Sequence, residues 1–163
     1  PKEFKKSNFN RDNFIILFIG NLNKNKGLKT LIKAFEVLNL KGYNNIFLYI
    51  AGKGKLEKYI IKKSKRLKNL KYFGFVKEDE KIDLLLNSDL FVYPSEDSYF
   101  LFVGRDDVVF RQRDYNQLAE KIILFYNNPE LRNEVSKFNI ERFTKYFNII
   151  ENARKIENQI KDM

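Results

Sequence analysis

Two glycine-containing segments carry the residues best suited to binding chemistry. The first, from Gly20 to Gly27, has the sequence GNLNKNKG, and the second is Gly52-Lys53-Gly54. Glycine lets a backbone approach a ligand closely, and the N–H groups that begin a helix attract phosphate. Together with Lys26, the first segment predicts a phosphate or diphosphate site, although glycine also ends many strands for purely structural reasons.

Neither segment matches a stricter phosphate-binding motif. The glycine spacing of the first segment differs from that of a Walker loop, and no Gly-Lys-Ser/Thr sequence follows it. In the second segment, Glu57 occupies the place of the third glycine of a dinucleotide-binding fingerprint. Taken alone, Gly52 and Gly54 therefore favour a structural turn.

A third candidate is the turn Pro94-Ser95-Glu96-Asp97. The Ser95 hydroxyl can bind phosphate and the Glu96 carboxylate can accept from sugar hydroxyls, whereas an ordinary turn at a strand exit is the alternative. The chain has no histidine, which excludes a Ser-His-Asp mechanism. It also has no Asp-x-Asp sequence, so we expect no metal held by carboxylates.

The composition is strongly basic, with 31 Lys and Arg against 21 Asp and Glu and a formal net charge of +10. The absence of cysteine excludes disulfides and thiolate catalysis. Between Lys53 and Lys71, nine basic residues stand against one acid, Glu57, a local charge of 9 − 1 = +8. Nucleic acid or anionic lipid can bind such a stretch, but a solvated lysine-rich helix face is favoured.

Apolar runs and amphipathic stripes alternate through the first half of the chain. The apolar runs predict strands buried on both sides, and the stripes predict helices between them. This alternation is typical of an α/β fold with a doubly wound, Rossmann-like parallel sheet in three layers, here followed by C-terminal helices after Asp114. The predicted strands are Phe14–Ile19, Ile46–Ala51, Leu70–Val76 and Asp89–Tyr93. The second helical stripe runs from Leu56 to Leu67. The C-terminal helices are predicted to begin at the caps Asp114 and Asn128, with a last helix around 149–160.

Two regions fall outside this pattern. Residues 1–13 are polar and aperiodic and predict a linker or end segment, which leaves 14–163 as one domain. The chain begins with Pro1 rather than Met, so we expect it to be a piece of a longer protein. Between Ser95 and Arg113 no helix-length stripe occurs, although a regular alternation would place another helix there.

Four motifs occur in the order seen in a known enzyme family. In this order they resemble the donor-binding half of a group 1, or family 4, glycosyltransferase with the two-domain GT-B architecture. The resemblance covers residues 14–96 well and the C-terminal helices more loosely. The motifs are FIGNL at 18–22 with Lys26-Gly27, IAGKG at 50–54, YFGFV at 72–76 and SDLFVYPS at 88–95.

The resemblance implies transfer of a sugar from a nucleoside-diphosphate sugar, with retention and without a metal or other cofactor. Lys26 would be the catalytic residue, because its ammonium group would balance the charge of the departing diphosphate. The other implied substrate-binding residues are Gly20 at the diphosphate, the backbone of Phe75 and Val76 at the base, Ser95 and Glu96 near the phosphate and sugar, and Asn21, Gly52 and Gly54.

The sequence departs from the family pattern in two places. Asn21 stands where the family usually has arginine, and losing such a charge-assisted contact costs about 1.5–3 kcal/mol unless Lys24 substitutes for it. The family's Glu-x7-Glu helix after the Pro-Ser turn is missing. We expect this segment to be omitted from this sequence rather than deleted from the protein, because deletion of an interior crossover would expose sheet and helix faces. Two consecutive Cα atoms within Asp97–Asp107 would then lie much farther apart than ~3.8 Å.

The partners implied by the resemblance are the nucleoside-diphosphate sugar and an acceptor-binding half that this chain lacks. We expect a cytoplasmic protein, since no apolar run reaches the ~18 residues of a membrane span. The basic charge is compatible with peripheral contact to the anionic inner face of a membrane. The alternative function is a basic α/β nucleic-acid-binding module without catalysis, whereas the preferred interpretation includes no nucleic acid partner.

Overall fold

The computed structural model describes residues 13–95 and 108–146. Strands and helices alternate strictly over the first of these ranges. The elements are β1 (Phe14–Ile19), a 3-10 turn (Lys24–Lys26), α1 (Leu28–Leu40), β2 (Ile46–Ala51), α2 (Glu57–Ser64), β3 (Leu70–Gly74), α3 (Glu78–Leu86), β4 (Leu90–Phe91), α4 (Tyr115–Asn127) and α5 (Pro129–Tyr146).

The four strands form one parallel sheet in the order β3-β2-β1-β4. Strand β1 pairs with β2 along its whole length, from Phe14 opposite Ile46 to Ile19 opposite Ala51. On its other side it pairs with the short β4, Ile16 opposite Leu90. The strand order therefore reverses between β1 and β4, which is the place where doubly wound sheets open a crevice at their carboxyl ends.

The two sides of the sheet bury alternate residues of each strand. On one side, Ile16 and Phe18 of β1 and Leu48 and Ile50 of β2 are completely buried. Helices α1 and α2 lie next to each other, because the Lys63 ammonium of α2 pairs with the Glu36 carboxylate of α1 at 2.5 Å. The apolar stripe of α1 is buried through Leu31, Ile32, Ala34, Phe35 and Leu38.

Helix α3 covers the other face of the sheet. Its Leu84 packs against Leu17 of β1 and Ala51 of β2, with Tyr49 and Phe73 partly buried around them. The sheet thus lies between helices on both sides, and the predicted three-layer, Rossmann-like fold is confirmed.

Several predicted elements are shorter in the structure. Strand β3 ends at Gly74 rather than Val76, because Gly74 has a φ of +69° and a register shift precedes it, with Ile50 opposite Tyr72 but Ala51 opposite Gly74. Strand β4 has two residues rather than five. Helix α2 ends at Ser64, whose hydroxyl donates to the Ile61 carbonyl at 3.0 Å, a local bond that competes with further helix.

The helices of the second half begin at the predicted caps. The Asp114 carboxylate accepts the Gln117 N–H at 2.9 Å, and the Asn128 side chain accepts the Leu131 N–H at 3.0 Å.

The chain divides into two compact units, 1–124 and 125–163. The last predicted helix, around 149–160, and the expected break within 97–107 lie outside the described residues.

A buried asparagine just before β3 connects the start of β2 to the end of α1. Asn69 is 8% exposed and its amide donates to the Ile46 carbonyl at 2.7 Å and to the Asn39 side chain at 2.8 Å. Because Asn69→Ala leaves two acceptors without this donor, we expect the free energy of unfolding to fall by about 1–3 kcal/mol in urea denaturation. The exposed Asn44→Ala is the control and should change it by less than about 0.5 kcal/mol; equal effects would contradict the prediction.

Candidate functional site

The first glycine segment and the Pro-Ser turn meet at the carboxyl ends of β1 and β4. Gly20 packs against Tyr93, so that a Cβ on Gly20 would lie 3.3 Å from the Tyr93 ring. The Ser95 hydroxyl donates to the Asn25 carbonyl at 3.4 Å. Two segments whose bonded residues are 70 positions apart in the chain therefore meet at the carboxyl ends of β1 and β4. We call this region the crevice, because doubly wound sheets open a crevice at the point where their strand order reverses.

Gly27 is the closest point of contact between these segments. It begins α1 with a left-handed φ of +65°, and a Cβ at this position would overlap the carbonyl oxygen of Pro94. Only glycine satisfies both requirements, since other residues are disfavoured in this backbone region and have a Cβ. Gly27 thus lets the turn after β4 lie against the start of α1.

The second glycine segment lies against the first. Gly20 N–H donates to the Ala51 carbonyl at 3.1 Å, and Leu22 N–H donates to the Lys53 carbonyl at 3.0 Å. A Cβ on Gly52 would overlap the carbonyl oxygen of Gly20, and one on Gly54 would lie 2.7 Å from the Leu22 nitrogen. These glycines therefore permit a close backbone approach, in addition to ending the strand as the sequence pattern alone favoured.

Lys26 lies above an aromatic stack at the mouth of the crevice. Its ammonium nitrogen is 5.7 Å from the centroid of the Tyr93 ring, within the range of a cation–π interaction. The Tyr93 ring is stacked with those of Phe18 and Phe91, with centroid distances of 5.7 and 6.3 Å and interplanar angles of 4° and 9°. The stack therefore positions the Lys26 ammonium group over Tyr93, whose ring also contacts Gly20.

The start of α1 adds a second source of positive potential. Its N-cap, Gly27, has no side chain to accept a hydrogen bond, and the first bond of the helix runs from Leu31 N–H to the Gly27 carbonyl. The N–H groups of the first turn lack partners within the helix, and the helix dipole makes this end attractive to anions. Lys26 and this helix end therefore concentrate positive charge at one place.

Residues of the third motif continue the site along the same edge of the sheet. Gly52 N–H donates to the Gly74 carbonyl at 2.6 Å, which fixes the end of β3 beside the second glycine segment. Phe75 follows with 67% of its side chain exposed, and the Lys53 ammonium lies 5.9 Å from its ring. Val76 turns inward and packs on the cluster around Leu84.

Tyr72 links β3 to the second glycine segment through a side-chain hydrogen bond. Its hydroxyl donates to the Gly52 carbonyl at 2.9 Å. Burial, and secondarily the hydrogen bond and charge of the Glu57 carboxylate, raise the pKa of Tyr72 to about 12. The neutral phenol is therefore the form that holds Gly52 in place.

The raised pKa of Tyr72 predicts a late step in an alkaline titration. The folded protein favours the neutral phenol, so this stabilisation is complete below the ordinary pKa of 10.0 and is lost as the pH rises through about 12. In tyrosinate absorbance, Tyr72→Phe should remove a step near pH 12, and Glu57→Gln should move that step to lower pH. An unchanged titration curve in both variants would contradict this assignment.

The structure brings most of the predicted binding residues to one edge of the sheet. Gly20, Lys26 and Ser95 border the crevice, Gly52 and Gly54 lie against its first glycine segment, and Phe75 and Val76 follow β3. Asn21 is exposed in the turn after Gly20, and Glu96 lies outside the described residues. In the two described ranges no group of three acidic side chains is placed to hold a metal ion.

The sequence interpretation missed Tyr93 and Tyr72. Tyr93 and Phe91 are two residues apart in the predicted fourth strand, a spacing that places both on one side of it. That spacing, next to Pro94-Ser95, was the available signal for the aromatic stack. For Tyr72 the sequence contains no comparable signal, because its partner Gly52 lies on the neighbouring strand only after folding.

Comparison with known proteins now places the chain in a family. The sequence model of the family described as glycosyl transferases group 1 matches residues 1–100. The chain therefore belongs to this glycosyltransferase family. Among curated proteins, none matches the chain.

Solved structures share the fold at low sequence identity. The catalytic domain of cholesterol-alpha-glucosyltransferase from Helicobacter pylori is 20% identical, with a TM-score of 0.67 over 80% of this chain and 99% of that one. The C-terminal domain of a group 1 glycosyl transferase, LpcC from Francisella tularensis, is 16% identical, with a TM-score of 0.70 over 83% and 87%.

A mutant of TarM from S. aureus, solved in complex with fondaparinux, alpha-GlcNAc-glycerol and UDP, is 19% identical with a TM-score of 0.77. The match covers 97% of this chain but only 36% of TarM, so the chain corresponds to about a third of that protein. These likenesses confirm the Rossmann-like α/β fold. Among the described residues, no helix is both long enough and apolar enough to cross a membrane.

Proposed function

We propose that this chain is the donor-binding domain of a glycosyltransferase and binds a nucleoside-diphosphate sugar in the crevice between β1 and β4. The observation that carries the proposal is that Lys26, the start of α1 and the two glycine segments border one crevice. Backbone N–H groups and one ammonium group there suit the negative charge of a diphosphate. Family membership and the UDP bound to TarM support the same ligand class.

In this proposal Lys26 is the catalytic residue. The bond between the sugar's anomeric carbon and the diphosphate oxygen breaks, and negative charge builds on that oxygen. The Lys26 ammonium and the α1 dipole stabilise this charge more in the transition state than in the bound donor, which is the condition for acceleration. Gly20 and Ser95 flank the diphosphate, and the backbone at Phe75 and Val76 meets the base.

Retention of configuration and independence from metal are further parts of the proposal. The acceptor hydroxyl enters on the side from which the diphosphate leaves, its oxygen bonds to the anomeric carbon, and its proton passes to the departing phosphate oxygen. A lysine and a helix end supply the positive charge that a metal supplies elsewhere. We infer that the acceptor is bound by a second domain of a longer enzyme, of which this chain is the donor half.

Calorimetric titration of the chain with UDP and with GDP in the presence of EDTA tests donor binding. We expect one of the two nucleotides to bind weakly, with a Kd between about 10 µM and 1 mM, because the acceptor half is missing and the site is open on one side. Addition of magnesium should leave the Kd unchanged. Absence of binding by either nucleotide at millimolar concentration would overturn the proposal.

Catalysis is tested on the longer enzyme, by determining the anomeric configuration of its product by NMR in EDTA. The same anomer in donor and product supports retention, and the opposite anomer contradicts it.

The alternative of a nucleic-acid-binding module is not favoured, since neither the family nor the fold points to it.

A further inference from the structure

The edge of the sheet opposite the crevice has a basic surface with one projecting apolar side chain. Helix α1 ends there at Leu40, which is 88% exposed, and Lys41 follows it. Helix α2 ends at the same edge and is followed by Lys65 and Arg66, both exposed. We call this surface, made of Leu40, Lys41, Lys65, Arg66 and Lys68, the amino-edge surface.

A shallow groove lies within the amino-edge surface. It has a volume of about 490 Å³, and its lining includes the cations Arg66 and Lys68 and the side-chain amide of Asn44. Phe47 and Leu67 add apolar side chains to this lining. Cationic and amide donors next to apolar side chains suit a ligand that is itself anionic at one end and apolar at the other.

The two loops that form this surface, 41–45 and 65–69, contain only basic charged residues. No Asp or Glu occurs between Val37 and Leu56 or between Lys58 and Lys77, segments that together contain eleven Lys and Arg. Lys63 pairs with Glu36 and Lys81 pairs with Glu78, and neither lysine belongs to the amino-edge surface. The amino-edge surface therefore presents positive charge that acidic side chains of its own segments do not neutralise.

An exposed leucine among these cations is the second observation. In its present position Leu40 buries almost no area, so it contributes little to the stability of the fold. Basic residues attract an anionic bilayer, and an apolar side chain beside them can enter the boundary between headgroups and acyl chains. Nucleic acid would use the cations but would gain nothing from an aliphatic side chain, since base binding relies on aromatic stacking.

We propose that the amino-edge surface docks on a bilayer containing anionic lipid, with Leu40 inserted at the headgroup boundary and a lipid phosphate in the groove beside Arg66 and Lys68. This inference goes beyond the proposed sugar transfer and uses none of its residues. A six-residue strand spans about 20 Å, so the two surfaces lie at opposite edges of the sheet. The crevice stays accessible while the chain is docked.

Co-sedimentation of the full chain with vesicles tests the docking. Vesicles of phosphatidylcholine with phosphatidylglycerol should bind the chain, and vesicles of phosphatidylcholine alone should not. Arg66→Glu combined with Lys68→Glu should weaken binding at least about tenfold, because each basic group near an anionic surface contributes measurably. Leu40→Ser, which leaves the charge unchanged, should also weaken it severalfold.

The matched control is Lys55→Glu combined with Lys58→Glu. Both residues are exposed, belong to the same basic stretch and give the same charge change, but they lie near the start of α2 at the other edge. We expect this variant to bind vesicles within about threefold of the unchanged chain. Equal losses in the two double variants would show a diffuse charge effect and overturn the proposal.

Two further outcomes also decide the matter. Inorganic phosphate at millimolar concentration should not release the chain from vesicles, because a single small anion replaces neither the charged surface nor the Leu40 contact. Binding to single-stranded RNA but not to vesicles, with a steep salt dependence, would overturn the proposal in favour of nucleic acid. UDP should leave vesicle binding unchanged whether or not the proposed donor site is correct, so the two proposals fail independently.

Discussion

Lys26→Ala is expected to weaken nucleotide binding by about 10- to 100-fold, the largest effect of any single charge removal on this chain. The Lys26 ammonium lies at the mouth of the crevice, 5.7 Å from the Tyr93 ring centroid and beside the start of α1. A hydrogen bond between a cation and a diphosphate oxygen contributes about 1.5–3 kcal/mol, which converts to this range of Kd. Calorimetric titration with the nucleotide that binds the unchanged chain measures it.

The control for this substitution is Lys41→Ala. It removes the same charge from an exposed lysine after the end of α1, at the opposite edge of the sheet. If long-range attraction alone were responsible, both variants would lose affinity equally; if Lys26 contacts the diphosphate, only Lys26→Ala loses it. Circular dichroism should be the same for both variants, because neither lysine side chain belongs to the buried core.

Gly27→Ala is expected to lower the free energy of unfolding by about 2–5 kcal/mol, the largest effect expected of a single methyl group. Two costs add at this position. The left-handed φ of +65° costs an alanine about 1–2 kcal/mol, and the new Cβ overlaps the Pro94 carbonyl oxygen, which forces the backbone apart at a cost of about 1–3 kcal/mol. Urea denaturation measures the sum.

Gly74→Ala separates these two costs. Gly74 has nearly the same φ, +69°, but a Cβ there would meet no atom within 4 Å. It should therefore lose only the conformational term of about 1–2 kcal/mol. A loss at Gly27 no larger than that at Gly74 would mean that the turn after β4 does not press against the start of α1, and the crevice as described would be wrong.

The predicted strands β1 and β2 are confirmed to the residue because each is a continuous apolar run ended by glycine. The end of β3 could not be predicted, since YFGFV continues the apolar pattern past Gly74. What ends the strand is a positive φ at Gly74 together with a register shift against β2. The hydrophobic pattern shows which residues are apolar. The sign of φ and the strand register depend on the neighbouring strand.

The candidate site also has a part that the sequence predicts and a part that it does not. Gly20, Lys26 and the second glycine segment were identifiable from their places after apolar runs, because parallel strands expose their carboxyl ends at one edge. The contact between the aromatic stack and the Lys26 ammonium group was not identifiable from the sequence. It depends on the stacking of Tyr93 with Phe18 and with Phe91, and hence on β4 lying next to β1.

The amino-acid sequence by itself determined the fold class, the family and the segments of the candidate site, because hydrophobic period, glycine position and charge are local properties. The tertiary structure decided which segments become neighbours. The order β3-β2-β1-β4 places the turn after β4 against the start of α1, and only this pairing brings Gly27 and Pro94 into contact. Strand order follows from the packing of the whole chain, and no single segment encodes it.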